Sequence, residues 1–459
     1  MTSIGQQRRP ARLGAAIDKA LSPVRGVVRA YPMALSAVLA ATCAAHAAGA
    51  FANTYMVNTA GDPGPGGTLS LRQAVAAANA SSGNTVEFDT ALSGSTITLT
   101  SGEIPIYQSM TIAMPGQNRL TISGNDTSSI FSIYPFVHKV PVIISGFTLT
   151  HGKSGLGGAI FAGQVSLRLY NTTIKASSAD GGGAIYVKAS YVIIGNSRIE
   201  GNHAIIGGGL NFYGCPNVHI SDTTISGNTA DYRGGGIYGS GVDRFELQGS
   251  TISGNVVPQP SGAGSGVRGG GGIMLKDIST YSHFTNSTIT QNYAYTGGGG
   301  VALLDTFTSF GASFYQTTIA GNSAQIDETG IGITALGGGK PLISASIVAN
   351  NFSQSSTDDL AGSFAANNSL IKSPGAATVS GTGCLIGVDP QLGPLADNGG
   401  TTLTLLPSAA SPVIDKAPCG STCTIDQRGA PRSHPNADMG AVERQLPEQL
   451  IFRNGFDPN

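Results

Sequence analysis

A sequence repeat constrains the fold of this 459-residue chain more than any other feature. Each unit has an apolar residue followed three positions later by Asn, then a variable turn, a Gly-rich triplet and a second apolar residue. The apolar anchors recur every 25 to 37 residues, at Ile122, Leu149, Ile174, Ile199, Ile225, Ile252, Ile289, Ile319 and Ile347. The triplets that track them begin at Gly157, Gly182, Gly207, Gly234, Gly270 and Gly298.

The unit is too short for packed helices, and its apolar residues alternate as they do in strands. Ile185-Tyr186-Val187 is one such run. One turn of about three short strands cannot bury its apolar side alone, but stacked turns can, with each strand pairing in parallel with its equivalents above and below. Parallel crossovers are overwhelmingly right-handed. The repeat therefore predicts an all-β, right-handed, single-stranded parallel β-helix, a solenoid of about nine or more rungs.

The Asn and Gly columns are interpreted as structural. Asn tolerates the left-handed backbone of a tight turn, and stacked amides can hydrogen-bond along the axis. The Gly triplets allow a sharp corner that side chains would block. A glycine-rich phosphate site would need a helix after the glycines, and no helical pattern follows them here.

The first 47 residues have the pattern of a signal peptide. Six basic residues precede a charge-free apolar run from Met33 to Ala45, and Ala45-His46-Ala47 places small residues where a signal peptidase cuts. Cleavage after Ala52 is the alternative. The apolar run is shorter than the roughly 20 residues that span a bilayer. We therefore expect export, and no transmembrane segment in the mature chain.

The mature chain is expected to be weakly acidic. Residues 1–47 contain six of the 25 basic residues and one of the 26 acidic residues, so their removal leaves a net charge of −6. With no basic run, neither nucleic acid nor anionic lipid is an expected partner.

Four of the five cysteines lie beyond the signal peptide. Cys419 and Cys423 are candidates for a small disulfide loop, whereas a free thiol is as good an interpretation for Cys215. The cysteine spacing does not match a zinc site, and we predict neither a metal nor a cofactor.

The two ends of the chain differ from the repeats. Ser70-Leu71-Arg72-Gln73 has the form of a capping box that opens a short helix reaching Asn79, followed by strands at Thr85–Phe88 and Thr96–Leu99. Terminal caps would hide the unpaired strand edges of the stack. The predicted organisation is a signal peptide at 1–47, an N-terminal cap with initial strands at 48–119, β-helix repeats at 120–388, a C-terminal cap at 389–444 and a tail at 445–459.

Three features resemble known exported proteins. The GGAI repeats, paired with apolar-x-x-Asn, resemble those of polymorphic outer-membrane proteins and related pectin-lyase-like β-helices. TLSLRQAVAAANA at Thr68–Ala80 resembles the CSLREA motif, with Thr68 in place of Cys. The sequences at Asp389–Asp415, Asp426–Arg432 and Ala437–Glu443 resemble the choice-of-anchor Q domain. These resemblances imply a bacterial protein of the pectin-lyase-like class that is secreted or associated with the outer membrane.

Pectin-lyase-like proteins include lyases and glycosidases, so the resemblance also raises the possibility of catalytic residues. Asp358-Asp359 and His151-Gly152 resemble short motifs of polygalacturonases. They occur in the wrong order and many rungs apart, and no arginine–lysine partner motif accompanies them. A turn residue for His151 and a solvated loop for the aspartates are the preferred interpretations. We assign no catalytic residue and lean against an enzyme.

A charged set in the C-terminal segment has two interpretations. Its members are Asp415, Asp426, Arg428, Asp438 and Glu443. A metal or acid–base site is conceivable, but salt bridges and turn hydrogen bonds within the cap are preferred.

Aromatic residues on one face provide the binding hypothesis. If Ile160, Ile185 and Ile237 point inward, the residue after each points outward by strand alternation. These outward residues are Phe161, Tyr186 and Tyr238, with Asn211 on the intervening rung. Exposed aromatic rings can lie against sugar rings, although packing under a loop is the alternative.

The predicted function is therefore adhesion or glycan binding, with a polysaccharide or a cell-surface molecule as the partner. A polysaccharide lyase or glycoside hydrolase is one alternative function. A purely structural stalk is the other.

Overall fold

The computed structural model describes residues 52–114, 120–135, 139–259, 269–304, 311–326, 331–421 and 423–445. The signal-peptide prediction therefore lies outside the described residues, as does the tail beyond position 445. The described chain is a right-handed parallel β-solenoid of about 11 turns, which confirms the predicted fold class. Within this part of the chain, no helix is both long enough and apolar enough to cross a membrane.

Four parallel sheets build the stack and are named here by their number of strands; the seven-stranded sheet spans only the central turns. The 13-stranded sheet consists of Thr54–Val57, Asn84–Phe88, Met110–Ala113, Pro141–Ser145, Ser166–Tyr170, Tyr191–Gly195, Asn217–Ser221, Arg244–Gln248, Tyr281–Thr285, Ala312–Tyr315, Leu342–Ser344, Ser363–Asn367 and Thr378–Ser380. The 12-stranded sheet consists of Thr96–Thr98, Leu120–Ser123, Phe147–Thr150, Thr173–Lys175, Arg198–Glu200, Thr224–Ser226, Thr251–Ser253, Thr288–Thr290, Thr318–Ala320, Ile347–Ala349, Leu370–Ile371 and Leu385–Ile386.

The other two sheets face the candidate site described below. The 10-stranded sheet consists of Ile104–Ile106, Phe131–Ile133, Ile160–Gly163, Ile185–Lys188, Leu210–Tyr213, Ile237–Ser240, Ile273–Lys276, Val301–Leu304, Ile333–Leu336 and Leu360–Ala361. The seven-stranded sheet consists of Lys153–Leu156, Ser178–Gly181, His203–Ile206, Thr229–Arg233, Val256–Val257, Tyr293–Thr296 and Ser323–Ile326. A central turn thus has four strands where the sequence suggested about three, because the segment between the Asn position and the glycines is itself a strand.

Alternation along each strand builds the core. Ile160, Ile185, Leu210 and Ile237 stand in register on successive strands of the 10-stranded sheet, and all are fully buried. In the 13-stranded sheet, aromatic rings stack inside the solenoid, and the centroids of Phe284 and Phe314 are 4.5 Å apart. β-branched and aromatic residues suit these half-buried pleated surfaces, so the same residues that favour strands also fill the interior.

The Asn column forms a buried amide ladder. Each Nδ2 atom donates to the Oδ1 atom of the next rung, at 2.9–3.0 Å from one Asn to the next. The members are Asn202, Asn228, Asn255, Asn292, Asn322 and Asn351. The left-handed backbone expected at the motif Asn is present at Asn125 and Asn350, with φ of 58° and 59°, whereas next to the ladder amides it belongs to the preceding residue, as in Gly201, with φ of 62°. The reason is that the amides must point inward to bond along the axis.

The Gly triplets are corners between the seven-stranded and 10-stranded sheets. Gly207 has φ of 67°, and a Cβ atom built on Gly208 would lie 2.4 Å from the carbonyl oxygens of Gly235 and Thr229. Backbone from the next rung therefore occupies the place of a side chain. The prediction that side chains would block this corner is confirmed.

The N-terminal helix, α1, spans Leu71–Ala78. The Ser70 hydroxyl accepts a hydrogen bond from the Gln73 backbone N–H, and the Gln73 side chain accepts one from the Ser70 N–H, so the predicted capping box is present. The helix buries its apolar side against the first strands of the stack. A 3₁₀ turn at Thr90–Leu92 follows the first of the two expected strands. These strands are observed at Asn84–Phe88 and Thr96–Thr98, and the strand Thr54–Val57 was not predicted.

The C-terminal segment lies along the side of the stack, whereas an end cap was predicted. Its antiparallel pairs, Leu392–Ala396 with Thr404–Pro407 and Ala417–Pro418 with Asn436–Ala437, accompany a chain that folds back over the 12-stranded sheet. Three outward threonines of that sheet, Thr251, Thr288 and Thr318, are buried and hydrogen-bonded to the segment, as where the Ala441 N–H donates to Thr318 Oγ1 at 2.9 Å. Short outward side chains leave room for this covering layer.

The cysteines of the described chain have three kinds of surroundings. Cys419 and Cys423 are joined by a disulfide within the C-terminal segment. Cys215 is a buried free thiol, and burial raises its pKa to about 11, so it is protonated at neutral pH. Cys384 is also free and is half-buried.

Candidate functional site

A groove of about 340 Å³ lies where the outward faces of the 10-stranded and seven-stranded sheets meet. Tyrosines dominate its lining, so it is called the tyrosine groove. The 10-stranded sheet contributes Tyr186, Asn211, Tyr213, Tyr238 and Ser240. The seven-stranded sheet contributes Leu156, Asp180, Gly181 and Ile206.

Strand register sets the floor of the groove. Phe161, Tyr186, Asn211 and Tyr238 align on successive strands, outward from the buried isoleucine column. Tyr186 and Tyr238 line the groove, as does Asn211 between them, whose Nδ2 atom donates to the Ile206 carbonyl at 3.4 Å. Two of the three aromatic residues singled out from the sequence thus share one concave site.

Phe161, the third predicted residue, supports the groove without lining it. Its ring stacks on Tyr186 with centroids 6.0 Å apart and an angle of 9° between the planes. Such a contact limits the rotamers open to Tyr186 and presents a fixed ring to the groove. Phe161 is therefore better described as a positioning residue than as a contact residue.

Tyr213 belongs to a second outward column that the sequence analysis did not identify. It is 52% exposed, and the Lys188 ammonium lies 5.9 Å from its ring centroid. Burial raises the pKa of the Tyr186 phenol, with smaller effects from Tyr213 and Cys215. Tyr186 therefore stays protonated at neutral pH and can donate a hydrogen bond from its hydroxyl.

The groove ends at Tyr238. This side chain packs against the buried apolar residues Met274, Ala302 and Leu304, of which Met274 and Ala302 continue the same outward column. One side of the Tyr238 ring is therefore packed against the protein, as in the alternative to ligand binding. The other side faces the groove.

Sequence reasoning missed the wall formed by the seven-stranded sheet. Leu156, Gly181 and Ile206 are equivalent residues, aligned by the sheet register, and each immediately precedes a Gly triplet. That constant position before the glycines was a usable signal. Recognising it required knowing that the preceding segment is a strand with an outward face.

A polar cluster lies on the outward face of the 13-stranded sheet. Glu246 accepts a hydrogen bond from the Tyr281 hydroxyl at 2.8 Å, and its other oxygen lies 2.9 Å from Nδ1 of His219. His283 packs against Tyr281 with ring centroids 4.3 Å apart, and the Arg244 guanidinium lies 5.6 Å from the Tyr281 ring. Strand register brings these residues together from three rungs.

The electrostatics of this cluster favour an ionised Glu246. Burial acts to raise the pKa of Glu246, but hydrogen bonds from Tyr281 and His219 and the nearby histidines outweigh it and hold the pKa below its usual value. The hydrogen bond to Glu246 is the main cause that raises the pKa of Tyr281. With Nδ1 of His219 facing a carboxylate, Nε2 is the nitrogen left to accept a proton.

The structure does not bring the polygalacturonase-like residues together. His151 is an exposed turn residue with φ of 51°, as the preferred interpretation has it. Asp359 is fully buried, and its carboxylate closes the amide ladder by accepting from Asn351 Nδ2 at 2.7 Å. The solvated-loop interpretation is therefore wrong for Asp359, because the ladder needs an acceptor at its end.

The C-terminal charged set is held mainly by backbone N–H groups and arginines. Glu443 accepts from the N–H groups of Ser433 and Asp438, and Asp438 accepts from those of Asp415 and Arg444. Burial raises the pKa of Asp438 to about 6. Two ion pairs also belong to this set, Asp426 with Arg428 at 2.8 Å and Glu443 with buried Arg432 at 3.6 Å.

One carboxylate oxygen each from Asp415, Asp438 and Glu443 lies within 4.8 Å of the others, a spacing that could hold a metal ion. Backbone donors already satisfy the carboxylates of Asp438 and Glu443, and Asp415 is exposed, which fits the preferred structural interpretation.

Sequence comparison assigns the chain to a class of protein defined by its solenoid. The profile of the family described as "Right handed beta helix region" matches residues 111–373, and the chain belongs to this family. This match supports the predicted β-helical class, while the CSLREA-like, outer-membrane-repeat and choice-of-anchor Q resemblances stay predictions. No curated protein matches the chain in sequence.

Two solved structures are similar in shape. The crystal structure of pectate lyase Pel9A is 14% identical over 86% of this chain and 96% of the other, with a TM-score of 0.47. The complex structure of XylC with xylose is 11% identical over 76% of this chain and 66% of the other, with a TM-score of 0.40.

Proposed function

We propose that this protein is an exported β-helical binding protein whose tyrosine groove takes the sugar rings of a glycan. The observation that carries this proposal is the convergence of Tyr186, Tyr213 and Tyr238 on one groove beside the amide of Asn211. Aromatic faces, hydroxyls and an amide match a ligand with alternating apolar and hydroxylated surfaces. Adhesion to a polysaccharide or to a cell-surface glycan is the corresponding role.

The charge of the groove favours an uncharged glycan. Asp180 is the only carboxylate among the described lining residues, and Lys188, which lies over the Tyr213 ring, is not one of them. An exposed carboxylate accepts hydrogen bonds from sugar hydroxyls but repels uronate groups. Neutral polysaccharides are therefore the first ligands to test.

Replacing both Tyr186 and Tyr238 by Ala tests the groove. We expect affinity for a neutral polysaccharide to fall about tenfold or more, since a loss of about 1.4 kcal/mol in contacts corresponds to a factor of ten. Tyr134→Ala is the matched control, because Tyr134 is 48% exposed and lies outside the described groove lining. Unchanged binding by a folded double variant would count against the groove.

The predicted export belongs to this proposal. Surface exposure would place the groove in contact with extracellular glycans. Export predicts a mature chain that begins at Ala48, or at Asn53 if the alternative site is cut, which N-terminal sequencing of protein recovered outside the cell would check.

A second candidate function is polysaccharide lyase activity at the polar cluster, favoured by the contact between Glu246 and Nδ1 of His219. A carboxylate-oriented imidazole is suited to act as a general base. In such a reaction Nε2 of His219 would remove the proton beside a uronate carboxylate. The bond from the neighbouring carbon to the glycosidic oxygen would then break, leaving a carbon–carbon double bond, and the released oxygen would take up a proton from solvent. Arg244 would supply positive charge near the carboxylate.

This candidate has its own test and control. Incubation with pectate, alginate and chondroitin sulfate, read by ultraviolet absorbance of unsaturated products, should give activity that His219→Ala abolishes. His203→Ala is the matched control, because His203 Nε2 also lies 2.9 Å from a carboxylate, that of Asp231, but on another sheet. Absence of product from all three substrates would leave the binding function as the better candidate.

A further inference from the structure

A second groove, of about 300 Å³, lies on the outward face of the seven-stranded sheet near its last strand. It is called the Phe352 groove. Tyr293 pairs in register with Ser323, and Ser323 forms a parallel bridge with Phe352, so the three residues make one column on successive rungs. Gln325, Ser353 and Gln354 complete its polar lining.

The chemistry of this groove resembles that of the tyrosine groove. Phe352 is 52% exposed, and the Tyr293 hydroxyl donates to Gln325 Oε1 at 2.7 Å. Among the described lining residues there is no acid and no base, only aromatic rings, amides and hydroxyls. Such a site suits the apolar face and hydroxyl groups of an uncharged sugar and gives no charge with which to hold an ionic ligand.

The two grooves flank the same sheet. The tyrosine groove reaches the strand His203–Ile206, and the Phe352 groove starts at the strand Tyr293–Thr296, three strand steps further along the stack. This separation is about 14 Å along the axis, with a sideways offset of three residues or about 10 Å. The strands Thr229–Arg233 and Val256–Val257 lie between them. In the first of these strands, the Arg233 guanidinium is 4.8 Å from the Tyr232 ring centroid.

We propose that Tyr293 and Phe352 form a second sugar-binding site, and that the two grooves hold one extended, uncharged polysaccharide that crosses the seven-stranded sheet. This inference rests on the proposed glycan-binding function and deepens it. When a polysaccharide fills the first groove, its next sugar residues are held near the second groove at a high effective concentration. Long chains therefore bind more tightly than fragments that fill one groove.

Length-dependent binding tests the proposal. The probes are soluble xylan, galactomannan and mixed-linkage β-glucan, each with its oligosaccharides of increasing length, titrated calorimetrically into the mature chain. Wild-type affinity should rise with chain length to a plateau at least tenfold above that for the shortest fragments bound. Phe352→Ala should remove most of this gain while leaving short-fragment affinity unchanged.

The variants separate this inference from the function on which it rests. Tyr186→Ala with Tyr238→Ala should weaken fragments and long chains alike, and Gln354→Ala should act in the same direction as Phe352→Ala but more weakly. Tyr134→Ala again serves as the exposed aromatic control. If Phe352→Ala left long-chain affinity unchanged while the tyrosine variants lost it, the second site would be refuted and the first retained. If none of these substitutions altered binding, or if no probe bound at all, both the second sugar-binding site and the proposed glycan-binding function would be refuted.

Discussion

At the scale of single residues, position in the stack decides what a polar side chain does. Asp359 was considered as a catalytic carboxylate because an aspartate pair resembles a known motif. Its carboxylate instead ends the buried ladder, accepting from the side chain and backbone of Asn351 and from the Ser373 N–H at 2.8 Å. An amide ladder that runs in one direction leaves a donor unsatisfied at its last rung, and a carboxylate there accepts without donating.

The ionisation of Asp359 makes stability depend on pH. Burial raises its pKa from 3.8 to about 6, although hydrogen bonds from Asn351 and Ser373 oppose the rise. A raised pKa means that the folded state holds the proton more tightly than the unfolded state. The free energy of unfolding that this group contributes is therefore present below pH 4 and is lost as pH rises through about 6.

We expect wild type to lose stability relative to Asp359→Asn as pH rises from about 4 to just above 6. The difference is at most about 3 kcal/mol, because one pKa unit corresponds to about 1.4 kcal/mol. Urea unfolding at several pH values measures it. Asp438, whose pKa is also raised to about 6, keeps its own contribution in both proteins, so parallel pH profiles would contradict this assignment for Asp359.

At the scale of elements, the Gly triplets set the corner that creates the tyrosine groove. Gly181 immediately precedes one triplet and lines the groove, and a Cβ atom there would lie 3.2 Å from the Tyr186 ring. The following glycines bring the backbone of neighbouring rungs into contact. The corner therefore places the outward face of the seven-stranded sheet beside that of the 10-stranded sheet.

Two glycine variants separate close approach from backbone conformation. Gly208→Ala puts a methyl group 2.4 Å from two carbonyl oxygens and should lower the free energy of unfolding by about 3 kcal/mol or more. Gly201→Ala is the control: its φ of 62° is left-handed, but nothing lies within 4 Å, and the equivalent rung already has Ala176 with φ of 49°. It should cost only about 1–2 kcal/mol.

Chemical denaturation with circular dichroism compares the two variants. If Gly208→Ala cost no more than Gly201→Ala, the contact between rungs would not explain why Gly occupies the Gly208 position.

At the scale of the whole molecule, the C-terminal segment is joined to the side of the solenoid through buried polar contacts. Gln427 is the centre of this contact, donating to Thr251 Oγ1 and Thr402 Oγ1 at 2.9 Å and accepting from Thr288 Oγ1 at 2.6 Å. A buried amide that loses these partners leaves several unsatisfied groups. Because a solenoid is stabilised rung by rung, the stem does not require this segment for its own strand pairing.

Gln427→Ala should therefore loosen the C-terminal segment while the stem stays folded. Hydrogen exchange should speed up in residues 389–445 and in the covered strands Thr251–Ser253 and Thr288–Thr290, with little change near α1. Gln248→Ala is the control, since Gln248 is an exposed amide on the 13-stranded sheet. Uniform loss of protection along the stack would show that segment and stem unfold as one unit.

The sequence by itself determined the solenoid, the inward apolar columns and the outward direction of Tyr186 and Tyr238, because these follow from a short repeat and from strand alternation. It also determined the capping box of α1, which depends on residues three positions apart. The capping box is a local pattern, and the strand alternation is a local pattern that is repeated on every rung.

Only the tertiary structure decided which outward residues share a groove. Leu156, Asp180 and Ile206 meet the tyrosines because a fourth strand turns at the glycines, and the His219–Glu246–Tyr281 cluster forms because three rungs align in register. The placement of the C-terminal segment was likewise decided by long-range contacts, between residues more than 100 positions apart. A local sequence pattern carries no information about residues so far apart in the sequence, and only the fold brings them into contact.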